Sequence, residues 1–198
     1  MNNKLTIRCA CGAVRGIAHH VTIKEVNRVV CYCRHCQAYA NFLGRAEQVV
    51  DAQGGTEMLH LSPRHLDINN GLEHIACVHF TEKGALRWYA KCCNTPIANT
   101  LQNVRMPFMA VIHTCIDRTM LDAPIEGMIG PVRARVNKRF PKQDRPREAT
   151  ASALLFMIMR YSALFALWGI RGDGKHSPFL NQESGMLITP PVLTNIDL

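Results

Sequence analysis

At 198 residues, with 47% hydrophobic and 19% charged positions, the chain can build one sizeable core and lacks the composition of a disordered protein. A formal net charge of +8 favours anionic partners in general, whether nucleic acid, acidic lipid surfaces or a small acidic substrate, without choosing among them. The nine cysteines are odd in number and too clustered for a simple disulfide framework, and no apolar signal region precedes the first strand-like alternation, so the expected setting is cytoplasmic, with thiols or metal thiolates.

Residues 4–9 alternate, with Leu5, Ile7 and Cys9 on one face and Lys4, Thr6 and Arg8 on the other, which predicts a half-buried strand ending at a thiol. Cys9-Ala10-Cys11-Gly12 then reads as a turn whose glycine frees the backbone for a tight metal knuckle. A second strand over Ala13–Ala18 completes a hairpin with the C-x-C at its tip. Arg28–Tyr32 reads as a strand and Arg34–Gly44 as a short helix with Ala38, Phe42 and Leu43 on its apolar side. Further strands are expected at Glu57–Leu61, Ile75–Phe80, Ala85–Ala90, Ile97–Thr100 and Met109–Thr114, punctuated by Ser62-Pro63, Asn69-Asn70-Gly71, Lys83-Gly84 and Asn94-Thr95-Pro96. Short strands without long intervening helices indicate a mainly β protein of antiparallel sheets.

After about residue 130 the character changes, which divides the chain into a β domain over 1–130 and an extension over 131–198. Residues 133–147 hold Arg133, Arg135, Lys138, Arg139, Lys142, Arg145 and Arg147 against the single acid Asp144. That strip has the charge for phosphate binding, but it lacks aromatic interleaving and any nucleic-acid motif, so a solvated connector is the preferred reading. Residues 149–170 form an apolar stretch of near membrane-spanning length, yet Arg160 sits at its middle, where a charge costs about 2.5–3.5 kcal/mol on insertion scales. Leu154, Met157, Ile158, Tyr161, Leu164, Phe165 and Trp168 recur at helical spacing, predicting a C-terminal helix that packs on the β domain or on a second copy of the chain. From Gly172 onward, glycines and prolines predict a tail that wraps the surface.

Three thiol clusters stand out: Cys9/Cys11, Cys31/Cys33/Cys36 and Cys92/Cys93. Cys77 and Cys115 lie alone in apolar surroundings and read as core. A hairpin-tip C-x-C paired with a later cysteine pair suits a structural zinc, whose four thiolates at about 2.3 Å clamp two hairpins. The triplet supplies three ligands from one short segment and leaves a tetrahedral ion one position short; a structural zinc would fill that position with protein, whereas a catalytic zinc would leave it to water or substrate. His35, inside a triplet already rich in thiols, reads as a neighbour of the metal rather than a ligand. The other eight histidines show no ligand spacing, and Trp88-Tyr89 read as core aromatics that could also border a pocket.

Cys9-Ala10-Cys11-Gly12-Ala13-Val14, Cys31-Tyr32-Cys33-Arg34-His35-Cys36 and Cys93-Asn94-Thr95-Pro96-Ile97 resemble, in order and approximate distance, the C-x-C-G-x-V, C-x-C-x-x-C and C-x-x-C-G-T-P motifs of the glutathione-dependent formaldehyde-activating enzyme family, which also contains centromere protein V. The resemblance covers about residues 5–115. It implies a β-tent fold with two zinc ions, a structural one on Cys9, Cys11 and the late cysteines, and a second with an exchangeable position on Cys31, Cys33 and Cys36. It also implies glutathione as co-substrate and carbon–sulfur lyase chemistry that joins glutathione and formaldehyde into S-hydroxymethylglutathione. The chain departs from the pattern where Asn94 replaces the motif glycine and Ala90 the first cysteine of the C-x-x-C. Adjacent strand residues point to opposite faces, so Cys92 and Cys93 can share one metal only if the backbone turns there. Cys92 is therefore either a displaced ligand or a bystander; the turn expected at Asn-Thr-Pro favours it as the fourth ligand beside Cys9, Cys11 and Cys93.

Two functions follow. One is a zinc-dependent enzyme acting through Cys31, Cys33 and Cys36 on a small thiol or aldehyde adduct. The other is a non-catalytic zinc-stabilised module whose basic segment and apolar helix contact protein, nucleic acid or another subunit.

Overall fold

A computed structural model describes residues 3–103, 105–121, 124–137 and 151–195. In chain order the elements are strands β1 (Leu5–Arg8), β2 (Arg15–Ala18) and β3 (Asn27–Cys31), helices α1 (Arg34–Phe42) and α2 (Ala46–Val49), and strands β4 (Thr56–Leu61) and β5 (Leu66–Asn70). Strands β6 (Ile75–His79), β7 (Leu86–Ala90), β8 (Thr95–Thr100) and β9 (Met109–Ile112) follow, then helix α3 (Ile125–Ile129), strand β10 (Ala134–Val136), helix α4 (Ala151–Ile170) and strand β11 (Val192–Leu193). The protein is therefore mainly β with a C-terminal helix.

The strands form two sheets. A three-stranded sheet has the order β1-β2-β5, and an eight-stranded one runs β10-β3-β4-β9-β8-β7-β6-β11. All neighbours are antiparallel except the two outermost pairs, β10 with β3 and β11 with β6, which are parallel. Those parallel strands come from the C-terminal part of the chain, which returns to both edges of the large sheet. Covering edge strands removes the open backbone groups that would otherwise template pairing with other chains.

The main core lies between the sheets. Leu5, Ile7, Ala18 and Leu66 from the small sheet meet Leu59, Leu61, Leu86, Trp88, Ile97 and Val111 from the large one. The opposite face of the large sheet is covered too, because Met58, Ala110 and Ile112 pack with Cys31, Cys36, Ala40 and Val49 near α1 and α2. Period-two alternation thus places Leu86, Trp88 and Ala90 in the main core and turns Arg87 and Tyr89 toward α1. Burial on both faces explains why β8 and β9 are continuously buried rather than alternating.

Several segments differ from the sequence expectations. The Asn69-Asn70 pair belongs to β5 rather than to a turn, and the turn begins at Gly71, whose φ of 79° is left-handed. In α1 the buried residues are Cys36, Tyr39 and Ala40, followed by Leu43, so the inward stripe runs i, i+3, i+4, i+7 from a thiol. Phe42 is largely exposed and Ala38 only half-buried, which corrects the apolar side expected from Ala38 and Phe42. In α4 the inner residues are Arg160, Tyr161, Leu164, Phe165 and Trp168, and Ile158 faces solvent instead. The expected face residues Leu154 and Met157 have side chains outside the described set, as has the basic strip beyond Asn137.

Arg160 explains the rotation of α4. Its guanidinium donates to Asn27 Oδ1 at 3.0 Å and to the carbonyls of Ile23, Lys24 and Val26 at 2.8, 2.7 and 3.3 Å. A charge in mid-helix is thereby used to satisfy carbonyls at the entrance to β3. Among the described residues, no helix is long and apolar enough to cross a membrane. The tail reaches the core through Phe179, which is fully buried and stacks on Trp88 with ring centroids 4.2 Å apart and planes 3° from parallel.

Candidate metal centres

The tip of the β1–β2 hairpin is a knuckle. Gly12 N–H donates to the Cys9 carbonyl at 2.9 Å, Val14 N–H donates to Cys9 Sγ at 3.2 Å, and Gly12 itself has φ of 79°. The β7–β8 connection turns over Lys91–Asn94, and Asn94 adopts the left-handed φ of 53°. Asparagine is one of the few side-chain-bearing residues that enters this region readily. The turn places both Cys92 and Cys93 on one side.

These two turns bring Cys9, Cys11, Cys92 and Cys93 into one cluster. The Cys9–Cys11, Cys9–Cys92, Cys11–Cys92 and Cys92–Cys93 sulfurs are 3.5, 3.9, 3.3 and 3.9 Å apart. Such separations are too long for disulfides and near the edge of about 3.8 Å expected when four sulfurs surround one zinc at about 2.3 Å. Cys11 and Cys92 are exposed, whereas Cys9 is buried. Burial opposes ionisation of Cys93, but hydrogen bonds from Thr95 and from the backbone and side chain of Cys11 bring its pKa down to about 6. Burial and the surrounding thiols raise Cys92. Four thiols so close cannot share several negative charges without a cation among them.

The second cluster is local in sequence. Cys31 ends β3, Cys33 is the N-cap of α1 and Cys36 is the first residue of its buried stripe. Their sulfurs lie within 4.8 Å of one another, and among the described residues no fourth Cys, His, Asp or Glu joins the group. Hydrogen bonds from the Cys33 and Cys36 thiols, the Cys33 backbone and Asn137 hold Cys31 well below the ordinary thiol range, against the opposing effect of burial. Cys36 is driven the other way, first by its hydrogen bonds with Cys31 and Cys33 and then by burial. The helix N-terminus beneath the cluster adds a favourable dipole for thiolate. The chemistry of both donor sets suits a soft divalent ion, so these cysteine clusters could each hold a metal.

The structure adds residues that spacing alone did not single out. Asn137 Nδ2 donates to Cys31 Sγ at 3.2 Å, and Arg87 Nη1 stands 4.0 Å from Cys36 Sγ. Arg45 Nη1 donates to the Cys93 carbonyl at 3.1 Å, tying the start of α2 to the other cluster. His60 hydrogen-bonds the Tyr161 hydroxyl through Nδ1, and burial lowers its pKa to about 4. In the sequence Arg87 alternates with Leu86 and Trp88 and so resembles a solvent-facing strand position; only the packing of α1 over that face reveals its burial. His35 is half-buried and belongs to neither cluster. Cys77 and Cys115 are buried, with thiols pushed up to about 12 by burial. His19, His20 and His65 meet Glu25, Arg64 and Arg171 around a cavity of about 530 Å³, but their ligand atoms do not converge as the sulfurs do.

No curated protein matches the chain. Among solved structures, the crystal structure of a Rhodobacter sphaeroides protein determined by structural genomics is similar at 16% identity and a TM-score of 0.41, covering 66% of this chain and 99% of that one. The DUF6151 family model matches residues 1–182, from before the first hairpin to just past Phe179. The chain therefore belongs to DUF6151, a family of unknown function.

Proposed function

We propose that the chain is a two-zinc enzyme in which one cluster is structural and the other reacts. Cys9, Cys11, Cys92 and Cys93 hold the structural ion. Cys31, Cys33 and Cys36 hold the second and leave one position for the sulfur of a small thiol, with glutathione the model substrate and formaldehyde the model aldehyde. The observation that carries this reading is the difference in donor number, four cysteines in one cluster and three in the other. A zinc ion there favours the deprotonated thiol and polarises a carbonyl.

The chain's own groups prepare that position. Backbone N–H groups of Cys33 and Cys36 and the amide of Asn137 donate to the sulfurs and fix their lone pairs. In the reaction class, the thiol sulfur forms a bond to the aldehyde carbon, the carbonyl π bond breaks, and its oxygen takes the proton that the thiol lost. The product is a hydroxymethyl thioether, and the reverse reaction is carbon–sulfur cleavage. The resemblance in the cysteine motifs supports this class over other zinc chemistry.

A second reading has its own support. The outer face of α4 presents Leu155, Phe156, Met159 and Ile170 at 58, 59, 56 and 86% exposure, as a binding module would. Metal analysis separates the two. The enzyme reading expects two zinc per chain, one lost in Cys33→Ser, and displacement of water from the remaining position by glutathione when formaldehyde is present. One zinc per chain, lost in Cys9→Ser and retained in Cys33→Ser, would leave the binding module. Absence of any glutathione effect at millimolar concentration would remove this substrate.

A further inference from the structure

Two arginines of the large sheet are buried to nearly the same extent, Arg28 at 7% and Arg87 at 5% exposure. Arg28 has the partners such burial demands, Glu57 at 2.7 Å and Glu126 at 2.8 Å. Arg87 has no carboxylate within ion-pair distance among the described residues. Its neighbours are the Asn99 amide oxygen at 3.5 Å, the rings of Tyr39 and Phe80 with centroids 5.1 and 5.4 Å from the guanidinium carbon, and Cys36 Sγ at 4.0 Å. Ring faces and an amide attract a guanidinium but do not neutralise it. An unpaired charge this deep is strongly unfavourable, so the balancing anion must be close by.

We propose that Arg87 is the built-in counter-cation of the Cys31/Cys33/Cys36 centre. Three thiolates around a divalent cation carry one net negative charge, and the guanidinium balances it across the wall formed by Cys36. The charge on β7 and the thiols on the β3–α1 segment are separated by more than 50 residues of sequence, and the packing of Tyr39 against Arg87 brings them together. Arg87 is a positioning residue: it touches no substrate and acts through the sulfurs. Its charge also eases the approach of a further thiolate, which would otherwise add to an unbalanced anionic site. This inference rests on the proposed metal centre for its second half only; the need of Arg87 for an anion stands on its burial.

The test combines metal affinity with melting of a mutant cycle. In chelator competition, Arg87→Met should weaken zinc at the central site by about 10–100-fold and leave the outer site unchanged, with Arg87→Lys restoring part of the loss. Melting temperatures of wild type, Arg87→Met, Cys36→Ser and the double variant give a readout independent of metal loading. Arg87→Met should lower the melting temperature in the wild-type background and leave it unchanged or raise it in the Cys36→Ser background, because there the arginine has lost its anion. If Arg87→Met does not fold, recovery of folding in the double variant is the same result. Unchanged central affinity with equal melting losses in both backgrounds overturns the proposal, as does failure of the double variant to fold while Cys36→Ser folds. One zinc per chain with the reversed melting effect leaves Arg87 as counter-ion and removes the proposed function. Two zincs with additive melting losses do the opposite.

Discussion

The two thiol clusters share a donor type and differ in almost everything that surrounds it. The outer cluster closes a large loop, with Cys9 and Cys11 from one hairpin and Cys92 and Cys93 from a turn more than 80 residues later, and half of its thiols are exposed. The central cluster is confined to six consecutive residues and sits at the N-terminus of α1, with Cys31 and Cys36 buried. Ligands drawn from distant segments make metal binding nearly inseparable from folding, because no such site exists in the unfolded chain. Ligands from one segment cost little loop entropy and contribute little cross-linking. Under the proposed function, where a site sits in the topology, more than which residues compose it, would divide structural from reactive roles.

The largest expected effect tests that division directly. Cys9→Ser, or stripping the outer metal, should lower the melting temperature by at least about 10 °C, whereas Cys33→Ser should cost about 3 °C, since serine is itself a good N-cap for α1. Equal losses, read by calorimetry, would erase the distinction.

Acid sharpens the comparison on the buried side. His60 is held neutral, with a pKa near 4 instead of 6.5, and burial is the cause. The unfolded chain takes up a proton below 6.5 that the folded chain refuses until about 4, so stability is full above 6.5 and falls as pH drops through this window. The loss should be on the order of 3 kcal/mol, and a denaturant series from pH 7 to 4 should show it shrink in His60→Gln.

The Arg45–Cys93 hydrogen bond is one link between the regions, and Arg45→Ala should cost about 1–2 kcal/mol without changing how much metal the protein binds. Loss of a metal in that variant would mean that the sites are one unit. The smallest effect belongs to the glycine substitution at Asn94. Asn94→Gly should change stability by less than about 1 kcal/mol, and Asn94→Val should cost about 1–2 kcal/mol by forcing a β-branched residue to positive φ.

Most of the strands, the knuckle at Gly12 and the grouping of the cysteines were legible in the sequence because each depends on local rules: period-two alternation, turn residues and close thiol spacing; β5 was not, because its exposed end at Asn69-Asn70 reads as a turn. What was not legible depends on tertiary packing. Arg87 carries no local sign of burial, and β10 and β11 are too short to stand out before they reach an edge that needs covering. The inward turn of Arg160 likewise depends on carbonyls from residues 23–26, far away in sequence. Phe179 looked like part of a surface tail, and only the ring face of the buried Trp88 gave it a place.

That stack has a practical consequence. The chain has only two tryptophans, Trp88 and Trp168, and both are buried where the C-terminal part meets the β body, one beneath Phe179 and one on the inner face of α4. Intrinsic fluorescence therefore watches the docking of the last quarter of the chain, and a red shift under mild denaturant would report its release.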